Sequence, residues 1–236
     1  MNIVHVAAHQ DDEGHSLGTL LKYRRQGGHR ITLICTTNGD KGLSFSPEIP
    51  QTEAAAIRAR EMRAVADALG AQYVCLGAED EFLYDTKEMR LKLIDALRAA
   101  RAELIFTHWV QDYNLDHVMT SRLVFQASLN SIIASMVTAH PALKSTPKVF
   151  YWDVGEGFGF EGTHFVELSE ELAREKVRIL RLHESQMEVM RQVGPDFADL
   201  LFERARAVGQ RVGVPFAEMF RPCLASRRTP LANLLP

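Results

Sequence analysis

Through the first half of the chain, short apolar runs alternate with stripes of apolar residues at helical spacing. The run Ile3-Val4-His5-Val6-Ala7-Ala8 stops abruptly at His9, and Gln10 and the carboxylates Asp11, Asp12 and Glu13 follow it. Over residues 14–26, Leu17, Leu20 and Leu21 recur at helical spacing, and Gly27-Gly28 ends the segment. Residues 31–36 (ITLICT) are compact, β-branched and apolar, the pattern of a strand covered on both faces. A polar stretch over 37–50 holds Asn38-Gly39-Asp40-Lys41-Gly42 and two prolines, and loops of that length are often functional. Thr52 is placed to cap the next helix, whose stripe of Met62, Val65, Ala66 and Leu69 ends at Gly70. Residues 73–76 read as a short strand, 87–100 as a helix with Leu91, Ile94 and Leu97 inward, and 104–107 as another strand.

This alternation implies parallel strands joined by helical crossovers. The expected class is α/β, doubly wound, a mostly parallel sheet with helices on both faces. In such sheets ligands bind outside the carboxyl ends of the strands. Three polar segments fall there: the stretch after Ala8, the loop after Thr36, and residues 108–117 after Thr107. The last of these leads into a helix expected over 118–137. Residues 148–152 read as a strand, the glycine-rich 155–162 as a mobile loop, and 165–168 as a short extended piece. Ser169 is placed to cap a long helix that is acidic at Glu170 and Glu171 and basic later, as the helix dipole favours. Segments 196–208 and 217–220 are expected to be helical, completing a C-terminal helical layer. No linker composition interrupts the sequence, so residues 1–236 are expected to form one domain.

With 46% apolar and 24% charged residues, the 236-residue chain has an ordinary globular composition and enough length for a sizeable core. A formal charge of -3 leaves no basic excess to neutralise phosphates, so nucleic acid is not expected as a partner. No apolar run reaches bilayer length, and no basic n-region precedes a hydrophobic segment at the start, so no membrane is expected either. Cys35, Cys75 and Cys223 are odd in number, far apart and in no Cys-x-x-Cys pair. Reduced thiols in a cytoplasmic protein are the expectation. Self-association into a homo-oligomer is left open.

His9 and Asp12 are three apart in a turn between strand and helix, a spacing that lets both point to one side. With one more histidine they make the three-ligand set of a catalytic zinc with an open position for water. His117 is the natural third ligand, since it begins a helix after another strand end beside Asp116. Asp11, adjacent to a ligand and pointing differently, is then free to act as general base on the water. A lone His-x-x-Asp often matches by accident, and acids at a helix start can simply favour its dipole. Placement of both clusters at carboxyl strand ends of one sheet is what raises the metal reading. Affinity alone does not select zinc, so another divalent ion fits the same donors.

Ala8-His9-Gln10-Asp11-Asp12-Glu13 resembles the Ala-His-Pro-Asp-Asp-Glu signature of the PIG-L/LmbE-like zinc-dependent N-deacetylases. Gly18-Thr19-Leu20 with Gly28-His29 is similar to that family's first helix, and Thr37-Asn38-Gly39-Asp40-Lys41-Gly42 to its Thr-x-Gly-Glu-x-Gly loop. Arg58-Ala59-Arg60-Glu61 is similar to its Arg-x-x-Glu helix, and Asp112-Tyr113-Asn114-Leu115-Asp116-His117 to its Asp-x-His-x-Asp-His segment. Lys176 with His183-Glu184-Ser185-Gln186, and Ala217-Glu218-Met219-Phe220, resemble later motifs, so the resemblance covers nearly the whole chain. It implies a Rossmann-like fold, a zinc held by His9, Asp12 and His117, Asp11 as base, and Arg58 in contact with substrate. It also implies removal of an acyl group, usually acetyl, from the nitrogen of an amino sugar or sugar conjugate. Asp112 and Asp116 are expected at the same edge, with Asp116 supporting a neighbouring group such as an imidazole nitrogen.

Two departures stand out. Gln10 replaces the usual proline, giving up a fixed φ and adding a backbone donor. Asn114 stands where the family commonly has a histidine that assists the oxyanion, and an amide donates a hydrogen bond but carries no transferable proton. Without the resemblance, Arg58 and Arg60 read as helix-surface charges and His15 as a surface or capping group. His108 reads as structural or supporting, and His183 with Gln186 as a buried contact tying helix to sheet. Trp109 and Trp152 read equally as core or as platforms for a sugar ring.

A nucleotide-binding α/β enzyme is disfavoured, because no Gly-x-Gly-x-x-Gly or Gly-x-x-x-x-Gly-Lys-Ser/Thr follows a strand. A histidine and carboxylates also stand where a phosphate needs backbone donors. A non-catalytic carbohydrate-binding relative has Asn114 as its one argument. An amidase acting on a larger amide conjugate is the remaining alternative, to be decided by the loops at 42–50 and 155–162.

Overall fold

Ile3 and Ala7 of β1 (Asn2–Ala7) lie on one face of the sheet and Val4 and Val6 on the other, and all four are buried. The computed structural model describes residues 1–152, 154–155, 159–230 and 234–236. Beside β1 run β2 (Arg30–Thr37) and β4 (Leu104–His108), with β3 (Gln72–Ala78) outside β2 and β5 (Lys148–Trp152) outside β4. These five strands are parallel. β7 (Phe216–Pro222) adds antiparallel to β5, and β6 (His164–Leu168) antiparallel to β7. The spatial order is therefore β3-β2-β1-β4-β5-β7-β6.

Helices cover both faces, as the doubly wound class requires. On one face, α1 (Leu17–Gln26), α2 (Gln51–Leu69), α5 (Glu170–Leu180) and α7 (Phe197–Val212) bury Leu20, Met62, Ile179 and Leu201 with Leu33, Phe106 and Trp152. On the other, α3 (Lys87–Ala99) and α4 (Leu115–Asn130) bury Leu93, Ile94, Leu97 and Leu123 with Val4, Val6 and Ile105. No helix of the described residues is long and apolar enough to cross a membrane.

Several elements differ from the sequence-based expectation, each for a tertiary reason. Residues Asp12–His15 form a 3-10 turn and α1 begins only at Leu17, because Asp12 and Glu13 turn into the protein instead of toward water. α2 starts after Pro50, whose φ of -58° suits a helix entry, so Thr52 lies inside the first turn and caps nothing. α4 ends at Asn130, not at 137. The buried Arg98 guanidinium gathers the carbonyl oxygens of Ser131, Ile133 and Met136 at 3.0, 2.8 and 2.8 Å, so these need no helical partner. Ser169 does cap α5, accepting from the Leu172 N–H, but the helix breaks before His183 and resumes as α6 (Glu184–Arg191).

Residues 217–220 lie in strand β7 and are not helical. Phe216, Glu218 and Phe220 share one face there, which suits a period of two. Glu218 thereby reaches the start of α1, where its carboxylate accepts from the Gly18 and Thr19 N–H groups at 2.9 and 2.7 Å. Lys176 neutralises it at 2.7 Å, a buried ion pair that joins β7, α1 and α5. Of the loop expected over 155–162, residues 156–158 lie outside the described residues.

Candidate active site

Strand order reverses at β1, from which the chain winds outward to β2 and β3 on one side and to β4 and β5 on the other. A crevice forms outside the carboxyl ends of the two strands at such a switch point. His9 and Asp12 follow β1 there, and His117 stands in the first turn of α4 after β4.

The three side chains converge. His9 Nδ1 is 3.2 Å from His117 Nε2, Asp12 Oδ2 is 3.6 Å from His9 Nδ1, and Asp12 Oδ1 is 3.4 Å from His117 Nε2. A tetrahedral zinc with ligands at about 2.0–2.1 Å separates its donor atoms by about 3.3 Å, so these spacings fit the shape of such a site. The far nitrogen of each imidazole meets a carboxylate. His117 Nδ1 lies 3.0 Å from Asp112 Oδ1 and His9 Nε2 2.9 Å from Asp80 Oδ1, so each outer nitrogen has a carboxylate to donate to and each inner nitrogen is turned toward the cluster. The donor set and its supports therefore fit a divalent metal.

Asp11 is held by its neighbours in a conformation rare for a residue with a side chain, φ 132°. Its N–H donates to Glu13 Oε2 at 3.0 Å, and the other oxygen of that buried carboxylate accepts from His183 Nε2 at 2.7 Å. His183 is thus a buried polar contact, as expected, but its partner Glu13 lies in the 3-10 turn after β1 and not in the sheet. Arg58 is not a surface charge. Only 2% exposed, it donates to the Gln10 carbonyl and lies 3.3 Å from Asp11 Oδ1. Gln10 compensates for the missing proline by being fully buried, its amide donating to the Thr37 carbonyl and the Tyr73 hydroxyl at 3.2 and 3.3 Å. Gly39 leaves the space for that amide, since a side chain there would collide with it.

Asp116 approaches an imidazole, as expected, but that of His9, whose Nε2 is 3.4 Å away. Its stronger contacts are the Glu81 and Leu83 N–H groups at 2.7 and 3.0 Å, which pin the loop after β3. Asn114 is the N-cap of α4: Oδ1 accepts from the Asp116 N–H at 2.7 Å, and Nδ2 lies 3.4 Å from Glu81 Oε1. Asn114→Ala is accordingly expected to cost about 1 kcal/mol of stability and Asn114→Asp to restore it, read from denaturant unfolding midpoints. An alanine variant as stable as the parent would contradict the cap. His108 is fully buried and its Nε2 accepts the Ala8 N–H at 2.9 Å, so it braces the strand end from which His9 leaves. Asp80 is a support that no motif had singled out, its only signal a carboxylate just beyond the carboxyl end of β3; Glu13 stood inside the Ala8–Glu13 motif, but without a role of its own.

Charge in the site is arranged around the cluster. Burial alone lowers the pKa of His9, but the carboxylates of Asp116, Asp12 and Asp80 more than offset it and hold the imidazole well above its ordinary value. Asp12, against its burial, is held well below the usual carboxylate range, His117 foremost among the groups that lower it and His9 among the others. Burial raises Asp11 to about 6 despite the Arg58 guanidinium, and Asp12 contributes to the rise. That is basicity suited to a proton acceptor near neutral pH.

Further in, Trp152 is core. It is stacked between His5 and His15 with ring centroids 5.5 and 5.1 Å away, so His15 is not a surface or capping group. Burial pushes His5 down to about 4, His108 to about 3, and His15 well below its ordinary value. Below pH 6.5 the unfolded chain binds three protons at these positions that the folded chain refuses. Stability must therefore fall on acidification, by roughly 1.4 kcal/mol per pH unit for each group. His9 adds no slope in this range, because its raised pKa leaves it protonated in both folded and unfolded chains below pH 6.5; below pH 6 Asp11, raised to about 6, binds a proton in the folded chain first and offsets about one of the three. The thermal midpoint of metal-free protein is expected to fall steadily from pH 7 to pH 5. A flat profile would contradict the neutral burial of these rings.

The PIG-L family model, described as GlcNAc-PI de-N-acetylase, matches residues 4–128, more than half of the chain. The chain belongs to the PIG-L family. Solved structures share the fold of this PIG-L chain along nearly its whole length. The N,N'-diacetylchitobiose deacetylase from Pyrococcus horikoshii is 22% identical, with 99% of this chain and 88% of that one covered and a TM-score of 0.80. The 4-carboxy-2-hydroxymuconate hydratase from Pseudomonas putida KT2440 is 19% identical, with 98% and 100% covered and a TM-score of 0.80. The zinc-inhibited form of the teicoplanin deacetylase Orf2 is 15% identical, with 93% and 97% covered and a TM-score of 0.68. At these identities the likeness carries the fold, and the presence of a hydratase shows that the fold alone does not fix the chemistry.

Proposed function

We propose that this PIG-L family member is a zinc-dependent hydrolase that removes an N-acyl group, acetyl foremost, from an amino sugar or sugar conjugate. The observation that carries the proposal is the convergence of His9, Asp12 and His117 at the donor spacing of a tetrahedral ion, with Asp11 next to Asp12 in the chain and within its electrostatic reach. When bound, the metal supplies a Lewis acid that polarises the amide carbonyl and makes a water more acidic. Asp11 takes the proton of the attacking water at its carboxylate and returns a proton to the departing nitrogen, so that a neutral amine leaves. Asp112 and Asp80 accept from the outer nitrogens of His117 and His9 and so aim the inner nitrogens at the cluster. Arg58, sealed from solvent, acts through Asp11, fixing the carboxylate and balancing its charge.

The supporting facts are membership of a family described as de-N-acetylases and a deacetylase among the structures that share the fold. A water-adding enzyme is the second reading, favoured by the hydratase match, since a metal site with a carboxylate base serves hydration equally well. The test is incubation of the zinc-loaded protein with N-acetylated amino sugars, their glycosides and larger amide conjugates, followed by mass spectrometry. Acetate and free amine in equal amounts are expected from at least one sugar. No release from any sugar, or turnover of the larger amides alone, would remove the amino-sugar reading.

A further inference from the structure

Four aromatic side chains of the described residues stand largely in solvent: Phe45, Phe82, Tyr84 and Tyr113, at 51%, 50%, 63% and 61% exposure. Exposed apolar residues scattered singly carry no information, but these are not scattered. All four lie on the loops that leave the carboxyl ends of β2, β3 and β4, the loops that frame the His9–His117 cluster. The other large apolar residues exposed among those described are aliphatic; Val110 and Leu115 lie on or next to the loop after β4, and the rest, such as Val137, Val193 and Leu224, lie elsewhere.

Named contacts tie this rim to the site. The Glu81 and Leu83 N–H groups on Asp116 hold the backbone on either side of Phe82, so its ring projects from a fixed loop. The Tyr113 ring packs edge-on against His117, with centroids 5.6 Å apart. Leu115, beside Asp116, is 77% exposed and extends the apolar surface toward α4. The charges on the rim are mostly acidic. Glu79 and Glu81 are exposed, and the nearby cation, Lys41, is spent on Glu79 at 2.7 Å while its Nζ lies over the Phe82 ring. A phosphate or nucleotide conjugate would meet carboxylates there, and an uncharged apolar group would cover ring faces that water now wets.

We infer that this rim binds the part of the substrate that is not hydrolysed, and that this part is an uncharged aromatic or alkyl aglycone. The inference rests on the deacylase reading for the reacting end of the substrate, and names the class as apolar glycosides of N-acylated amino sugars. Binding, not turnover, tests it. Calorimetry on zinc-loaded Asp11→Asn protein would compare the methyl, hexyl and phenyl glycosides of N-acetylglucosamine with its uridine diphosphate conjugate. From methyl to hexyl or phenyl, Kd is expected to fall about tenfold, in line with the apolar area covered. Phe82→Ser with Tyr84→Ser should return the ratio close to one, and a thermal melt of that variant checks that it folds. If it does not fold, the glycoside series on the parent and on Leu115→Ser still decides.

Equal Kd across the series, or tighter binding of the diphosphate conjugate, would overturn the inference. Co-sedimentation with neutral phosphatidylcholine vesicles that disappears in the double variant, together with a flat glycoside series, would assign the rim to a membrane surface and overturn it too. Absence of deacetylation by the parent protein would remove the deacylase reading while leaving this binding series to stand or fall by itself.

Discussion

Asp11→Asn is expected to lower kcat/KM for N-acetylated substrates by about 10²–10⁴-fold while leaving the bound metal at the parent level. The two side chains have nearly the same shape, so the turn at φ 132° makes the same steric demand on asparagine as on aspartate and is expected to survive. What is lost is the ability to accept a proton. The donors on His9, Asp12 and His117 keep their spacing and their carboxylate supports. Elemental analysis and steady-state kinetics on the same sample check both halves of the expectation. Turnover retained with a full complement of metal would take the base role from Asp11.

Asp12→Ala is expected to have the opposite signature, loss of metal together with loss of activity. On the proposed reading Asp12 supplies one of the three donors, and it also accepts the His9 backbone N–H at 2.7 Å. In the parent, zinc at a hundred times its Kd is expected to add about 2.7 kcal/mol of stability, as any ligand of the folded chain alone does. In Asp12→Ala that stabilisation is expected to vanish. Thermal melts of both proteins with and without zinc read it directly. A variant that zinc stabilises as much as the parent would exclude Asp12 as a ligand.

Much of the site was legible from sequence because its donors follow strand ends. A short apolar run that stops at His9, and another that stops before the segment leading to His117, place both at one edge of a parallel sheet. Their meeting then follows from topology. The supports were hidden for a physical reason: a buried charge chooses its partner through tertiary contact, which local pattern does not encode. Glu13 and His183 are 170 positions apart, and Asp80 joins His9 from an edge strand with no motif of its own. The same reason moved the end of α4, set by Arg98 on a neighbouring helix. It also hid β7, where one buried carboxylate, Glu218, answers to α1 and Lys176. Arg58 looked like a surface cation because nothing nearby in sequence announced the Gln10 carbonyl and Asp11 as its partners.

The central claim is that one metal held by His9, Asp12 and His117 makes this chain an amide hydrolase. Titrating zinc into chelator-stripped protein, while acetate release from an N-acetylglucosamine glycoside is followed, tests it most directly. The account predicts no release before zinc is added, then a rate that climbs in proportion to zinc and breaks at one equivalent per chain. Full activity in the stripped protein, or a loaded protein that consumes water without releasing acetate, would contradict it.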